Sequence, residues 1–77
     1  MPMVVSFVLI NTAPKKEHEV YNTLLEINEI SEVHALFGSF DLIVKLEMDE
    51  PSNMGKIINE KIRIVDGIID TKTLNGK

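Results

Sequence analysis

Four runs of β-branched, aromatic and aliphatic residues along the chain have the character of β-strands. The first covers residues 3–10 (MVVSFVLI) and stops at Asn11-Thr12. Three similar runs predict further strands over residues 32–37, 40–48 and 68–74. The pattern therefore predicts four strands. Phe40 and Asp41, just before Leu42, are also part of the turn sequence at the junction of the second and third strands.

Two segments between these strands have helical spacing instead. Pro14 suits a first helical position and opens a predicted helix over residues 14–28. Pro51 opens a second helix, which ends at Asp66-Gly67 because glycine suits the position just after a helix. Each helix has a single apolar stripe, made of Val20, Tyr21, Leu24 and Leu25 in the first and of Met54, Ile57, Ile58, Ile62 and Val65 in the second.

The order of these elements is β-α-β-β-α-β, which limits the possible folds. Because each helix has one apolar face, both helices should cover the same face of one antiparallel sheet. Right-handed crossovers then give an α+β, ferredoxin-like fold with four strands and two helices on one face. We expect a single domain over residues 1–77.

The first strand indicates that the other face of the sheet is covered as well. Its alternate residues are apolar on both sides: Val5, Phe7 and Leu9 on one, and Val4, Val8 and Ile10 with Ser6 on the other. An antiparallel sheet with one wet face would alternate more cleanly. We therefore expect a homodimer, an α/β sandwich packed sheet against sheet, in which a charge at Ser6 or Val8 would be buried or crowded at the interface and would dissociate the dimer or unfold it. The alternative is an apolar patch for a different protein.

Composition removes several classes of function. The 77 residues contain no cysteine, so disulfides, thiolate metal sites and cysteine nucleophiles are absent. The two histidines, His18 and His34, have no ligand spacing, and no Gly-rich phosphate loop is present, so we predict no metal and no cofactor. Eight basic against twelve acidic residues disfavour direct nucleic-acid binding. No apolar run is long enough for a membrane span and no signal peptide is evident, so we expect a cytoplasmic protein.

The turn Gly38-Ser39-Phe40-Asp41 allows two interpretations. It is a hairpin turn in either case, with glycine supplying a positive φ or room for another backbone. Asp41 is then a solvated turn residue that adds little to stability. Alternatively, amides near Gly38 and Ser39 bind a carboxylate and Asp41 binds an ammonium, which are the two ends of a free amino acid.

The chain resembles a known family at this turn and near its end. Residues 38–41 are similar to the Gly-Asp-Tyr-Asp pattern of the effector-binding module, or RAM domain, of the leucine-responsive regulatory protein/AsnC family. Residues 67–73 (GIIDTKT) are similar to the family's closing pattern of Gly-Val, two residues and Thr-x-Thr. Ser39 and Phe40 depart from the family's acidic residue and tyrosine.

The resemblance implies a non-catalytic module that binds a small effector, usually an amino acid, and assembles. In the family, effectors bind between dimers in a ring of four dimers, an octamer. Hairpin residues from one dimer and strand residues from a neighbour line the cleft. Carried over to this sequence, the ligand-binding residues are Leu36, Gly38, Ser39, Asp41, Thr71 and Thr73. For the two threonines, ordinary strand propensity is an equal explanation.

The resemblance also implies a partner. Full-length members carry a helix-turn-helix DNA-binding domain before this module, whereas this chain starts at the first strand and looks like a stand-alone version. We therefore expect it to act with a full-length regulator of the family.

One enzymatic alternative shares this topology. Small dimeric α+β barrels of the cofactor-free monooxygenase type have a cavity with convergent polar groups between the sheet and the helices. His34 could supply one such group, although a strand histidine beside a hairpin is the simpler explanation.

Overall fold

The chain forms one four-stranded antiparallel sheet with helices on one face. A computed structural model describes residues 3–49 and 54–75. Its strands are β1 (Val4–Thr12), β2 (Ile30–Ala35), β3 (Leu42–Met48) and β4 (Ile68–Asn75), in the spatial order β2-β3-β1-β4. The first helix is α1 (Glu17–Leu25), and the second, α2, consists of an α-helical turn (Met54–Ile57) followed by a π-helical segment (Ile58–Ile62). The predicted ferredoxin-like order is confirmed.

The core lies between the sheet and the helices. Val8 and Ile10 of β1 are completely buried in it, as are Val20 and Leu24 of α1. The side of β1 that carries Ser6 and Val8 is therefore the helix-covered side. The expectation that charges at Ser6 or Val8 would disrupt a contact between sheets is wrong, because they would enter the core of the protomer itself. Ser6 is already satisfied there, since its Oγ donates a hydrogen bond of 3.3 Å to the Leu74 carbonyl.

The helices are shorter than the sequence predicts. Lys15 has a φ of +68°, which no helix accommodates, so Pro14 and Lys15 form a turn and α1 begins at Glu17. Leu25, placed on the predicted stripe, is exposed, whereas Val20 and Leu24 are buried. Pro51, the predicted start of α2, lies outside the described residues. No helix within the described ranges is both long and apolar enough to cross a membrane.

β2 begins earlier in the sequence than the predicted strand, and it contains a β-bulge. Ile30 pairs with Leu46 and Glu32 with Lys45, so Ser31 is an extra residue between them. The bulge lets Ile30 and Val33 both face the core, although residues three apart normally face opposite sides of a strand. The run of strand-forming residue types does not reveal this shift, and Phe37 falls outside the strand.

Asp41 ties the hairpin between β2 and β3 to the end of β1. Its backbone N–H donates to the Ile10 carbonyl at 2.9 Å, and its own carbonyl accepts from Leu36 N–H at 2.8 Å. Asp41 Oδ2 also accepts two hydrogen bonds from Thr12, from the backbone N–H at 2.8 Å and from Oγ1 at 3.1 Å. The carboxylate thus takes the place of a strand neighbour where the pairing of β1 with β4 shifts between Asn11 and Thr12. Asp41 has a structural role that the sequence does not reveal.

The face of the sheet opposite the helices has an apolar centre. Alternation along β1 puts Val5, Phe7 and Leu9 on this open face. The register places Ile43 beside Leu9 and Leu74 beside Phe7. Phe7 and Leu74 are 36% and 39% exposed. The prediction that β1 is apolar on both sides is confirmed, and its uncovered side carries Val5, Phe7 and Leu9.

Gly67 is the tightest backbone position in the fold. Its φ is +102°, and a Cβ there would lie 2.8 Å from Val20 Cγ2 and 3.0 Å from Lys16 Cβ. Its carbonyl accepts from Ala13 N–H at 2.7 Å. Gly67 therefore lets the chain entering β4 pass directly under the start of α1.

We expect Gly67→Ala to lower the free energy of unfolding by about 2–4 kcal/mol, through both backbone strain and overpacking. Gly38→Ala is the matched control, because Gly38 also has a positive φ (+120°) but no atom lies within 4 Å of the added carbon. It should cost only the backbone strain, about 1–2 kcal/mol. Urea denaturation at one fixed protomer concentration measures both, and equal losses would contradict the packing argument.

Asp41→Ala should lower the free energy of unfolding by about 1.5–3 kcal/mol, since it removes the acceptor of two hydrogen bonds from Thr12. Asp66→Ala is the control. The Asp66 carboxylate is 98% exposed and lies 3.9 Å from Lys16 Nζ, so it should contribute little. Denaturation curves in which the two variants lose the same stability would show that the Asp41–Thr12 contact is energetically neutral.

Candidate functional site

The clearest candidate site is a cleft between α2 and β4, on the helix-covered side of the sheet. Its volume is about 440 Å³, within the range of small-molecule sites. The wall from α2 is partly apolar and partly polar, and the wall from β4 presents two hydroxyl-bearing side chains. The lining residues are Met54, Gly55, Ile58, Asn59, Arg63, Thr71 and Thr73.

Both threonines predicted as ligand-binding residues line this cleft. Thr71 pairs with Ile10 and Thr73 with Val8, and those β1 residues face the core. The threonines therefore project from the same side of the sheet, toward α2. Strand propensity alone does not require this placement, which brings both hydroxyls to one cavity wall.

The other polar lining residues, Asn59 and Arg63, are functional candidates that the sequence reasoning missed. In the sequence, the position of Arg63 near the C-terminal end of a helix already accounts for a cation there, because a cation is favourable at that end. The signal that points to them is their spacing of four residues, which puts both on one helix face. The structure confirms this proximity, since Arg63 Nη1 donates to Asn59 Oδ1 at 3.3 Å.

A π-helical segment shapes the wall of the cleft formed by α2. The Arg63 N–H donates to the Ile58 carbonyl at 2.9 Å, a bond that spans five residues. Wide turns of this kind occur frequently at functional sites. Ile58 and Ile62 stay buried across the turn, so the helix keeps its contact with the core while Arg63 lies at the cleft.

The four remaining predicted site residues lie in the hairpin and do not line this cleft. Gly38 has the positive φ expected from the sequence. Gly38 and Ser39 are exposed, Leu36 is half-buried, and the neighbouring Phe37 side chain is fully exposed. The hairpin backbone is therefore open to a ligand or to another chain.

Asp41, the fourth hairpin candidate, has one carboxylate oxygen already engaged. Oδ2 accepts both hydrogen bonds from Thr12, and no hydrogen bond to Oδ1 occurs among residues 3–49 and 54–75. Its role as the partner of an effector ammonium stays a prediction, and it would be performed by a carboxylate that also holds the sheet together.

Leu36, Gly38, Ser39 and Asp41 thus form one group, and Thr71 and Thr73 another. In a single protomer the hairpin group does not line the cleft that contains the two threonines. That a neighbouring copy completes a site containing all six residues stays a prediction.

His34 lies on the opposite side of the sheet from the cleft. Val33 faces the core, so its neighbour His34 projects from the open face, where Nε2 lies 2.8 Å from Glu32 Oε1. Hydrogen bonding to His34 and the nearby Lys45 cation hold the pKa of the Glu32 carboxyl below its usual value. His34 therefore does not line a cavity between the sheet and the helices, which the monooxygenase alternative requires.

Metal binding has no support in the part of the chain that the structure describes. Within residues 3–49 and 54–75, no group of three or more His, Asp or Glu side chains could hold a metal ion.

Solved structures share this fold over nearly the whole chain. The crystal structure of FFRP-DM1 superposes with a TM-score of 0.91 at 39% identity and covers 96% of this chain and 99% of that one. The protein PHS023 from Pyrococcus horikoshii gives a TM-score of 0.88 at 39% identity, covering 96% and 89%. Escherichia coli AsnC gives 0.85 at 22% identity, covering 92% and 48%, and this likeness concerns the fold alone.

Sequence comparison agrees with the structural one. An uncharacterized HTH-type transcriptional regulator from Pyrococcus furiosus is 32% identical over 72 residues, which are 90% of this chain and 48% of the regulator. This chain thus spans about half the length of the curated relatives that it matches. The sequence model described as the Lrp/AsnC ligand binding domain matches residues 5–74. The chain belongs to the Lrp/AsnC ligand-binding domain family.

Proposed function

We propose that this protein is a non-catalytic module that binds an amino acid as effector and assembles through its open sheet face. Its role is in transcription regulation. The observation that carries the proposal is the cleft between α2 and β4, where Thr71 and Thr73 project together into a cavity of about 440 Å³. A domain of a ligand-binding family with such a cleft has a place for a small effector.

The chemistry of the cleft supports an amino acid. Met54 and Ile58 supply apolar surface, while Arg63, Asn59 and the threonines supply hydrogen-bonding groups. An amino acid has the same combination of a charged backbone and, in many cases, an apolar side chain. A structural neighbour from Neisseria meningitidis, 14% identical, is a transcriptional regulator in complex with L-Met.

Assembly follows from the open face. Val5, Phe7 and Leu9 form the apolar centre of a surface that the helices do not cover. Packing two such faces together removes this surface from water and gives the sheet-to-sheet dimer. A ring of four dimers would then bring the open hairpin of one copy, with its exposed Phe37, to the cleft of another.

The proposed regulatory output involves a partner. With a net charge of −4, these 77 residues lack the basic surface that nucleic-acid binding rests on. We propose that the effector signal reaches DNA through a full-length regulator of the same family, by mixed assembly. No observation favours the monooxygenase alternative, because His34 lies on the other face.

Effector binding is tested by calorimetric titration of the protein with each of the twenty amino acids. We expect at least one to bind, and Thr73→Val to weaken that binding by about 2- to 10-fold, the usual effect of one lost hydrogen bond. Thr23→Val is the control, because its hydroxyl bonds to the Glu19 carbonyl on α1, away from the cleft. Failure of all twenty amino acids to bind would contradict the proposed effector class.

Assembly is tested by placing a charge on the open face. Phe7→Glu should reduce the assembly to smaller species at micromolar concentration while the far-UV circular dichroism stays the same, because the charge would be desolvated in the interface. Leu25→Glu, which changes an exposed leucine on α1, should leave the assembly intact. Multi-angle light scattering gives the mass. A wild-type mass of 8.7 kDa, that of the monomer, would reject assembly.

A further inference from the structure

We propose that Arg63 is the carboxylate-binding residue of the cleft between α2 and β4, so that the effector is a small monocarboxylate held by its acid group at α2. The inference rests on the proposed function and names the ligand's orientation within that site. It also places the acid end of the effector away from the Gly38 and Ser39 amides, where the sequence suggested it would bind.

The first observation is that Arg63 has unused hydrogen-bonding capacity. A guanidinium has five N–H donors, and Arg63 Nη1 donates to Asn59 Oδ1 at 3.3 Å. Among residues 3–49 and 54–75, Lys16, Lys45 and Lys61 each lie within 4 Å of a carboxylate oxygen, whereas Arg63 has no such neighbour. The planar fork of Arg63 therefore retains donors for an external carboxylate.

The second observation is the position of Arg63. It lines the 440 Å³ cleft and also a smaller adjoining cleft of about 110 Å³. The π-helical segment ends just before it, and its backbone N–H caps that segment through the Ile58 carbonyl. The side chain thus projects from a helix end whose backbone is held in place.

The third observation is the distribution of polarity around the cleft. Among the described residues that line the cleft, Arg63 is the one cation, Met54 and Ile58 are buried apolar residues, and Thr71 and Thr73 face it from β4. A single cation matches one carboxylate, and the apolar wall matches an aliphatic or thioether group. A ligand with two carboxylates would leave one of them without a cationic partner in the cleft.

Asp70 is the acidic group that opposes an anion here. It lines the smaller cleft beside Arg63 and Thr71, and its Oδ1 accepts a hydrogen bond from Thr71 N–H at 3.0 Å. Its negative charge should weaken the binding of a carboxylate. Asp70→Asn removes that charge and keeps an oxygen acceptor, so this variant should bind the carboxylate more tightly.

The test compares wild type with four variants of the full chain, all checked for circular dichroism and assembly. The probes are the twenty amino acids, the carboxamides L-methioninamide and L-leucinamide, and the amine-free acids 4-methylthiobutanoate and 4-methylpentanoate. Calorimetry gives each affinity, and the Arg63 Nε–Hε resonance in proton–nitrogen correlation spectra reports contact with the ligand.

For the amino acid or acid that binds wild type, Arg63→Met should weaken binding about 10- to 100-fold, as expected for loss of a charge-assisted hydrogen bond. Arg63→Lys should recover part of the loss. Lys56→Met, which removes one cation from the same helix outside the cleft, should change affinity less than 2-fold. Asp70→Asn should strengthen binding, and the carboxamides should bind at least 10-fold more weakly than their acids.

Two results separate this inference from the proposed function. An amino acid that binds wild type and Arg63→Met equally, or whose carboxamide binds as well, would overturn the role of Arg63 and leave the amino-acid effector standing. Amine-free acids that bind through Arg63 when no amino acid does would support Arg63 and overturn the amino-acid class. No binding by any probe would overturn both.

Discussion

The central strand β1 is the constraint on which the rest of the structure depends. It pairs with β3 on one side and β4 on the other, and both of its faces are apolar. The two helices cover the face with Val8 and Ile10, and only their short apolar stripes are available to do so. A chain of 77 residues buries a modest core, so covering the second apolar face of β1 with another molecule would add to the protomer's stability.

The elements and their order follow from the sequence because each one has a single clear periodicity. What the sequence does not reveal are the places where one residue is added to that periodicity. Ser31 lets Ile30 and Val33 face the same side, and the turn over Ile58–Ile62 widens α2. Such insertions depend on which long-range packing is best, and local patterns do not contain that information. The predicted start of α1 is wrong for a local reason, which is the positive φ of Lys15.

Candidate site residues were predictable where a motif carried them and not where only tertiary structure brings them together. Thr71 and Thr73 come from the closing pattern of β4, and the fold places both at one cleft. Arg63 and Asn59 join them only because α2 lies over that part of the sheet. Asp41 was identified as a chemical group, but its contact with Thr12, 29 residues away in sequence, depends on how the hairpin meets β1.

The π-helical segment also fixes the rotational phase of everything that follows it in α2. In an α-helix each residue turns the chain by about 100°, so if the same residues formed a regular α-helix, Arg63 would lie about one residue, or about 100°, further around the helix axis. It would then point away from Thr71 and Thr73. The same change would leave Met54 undisturbed, because it precedes the turn. The wide turn therefore decides whether the two walls of the cleft face each other.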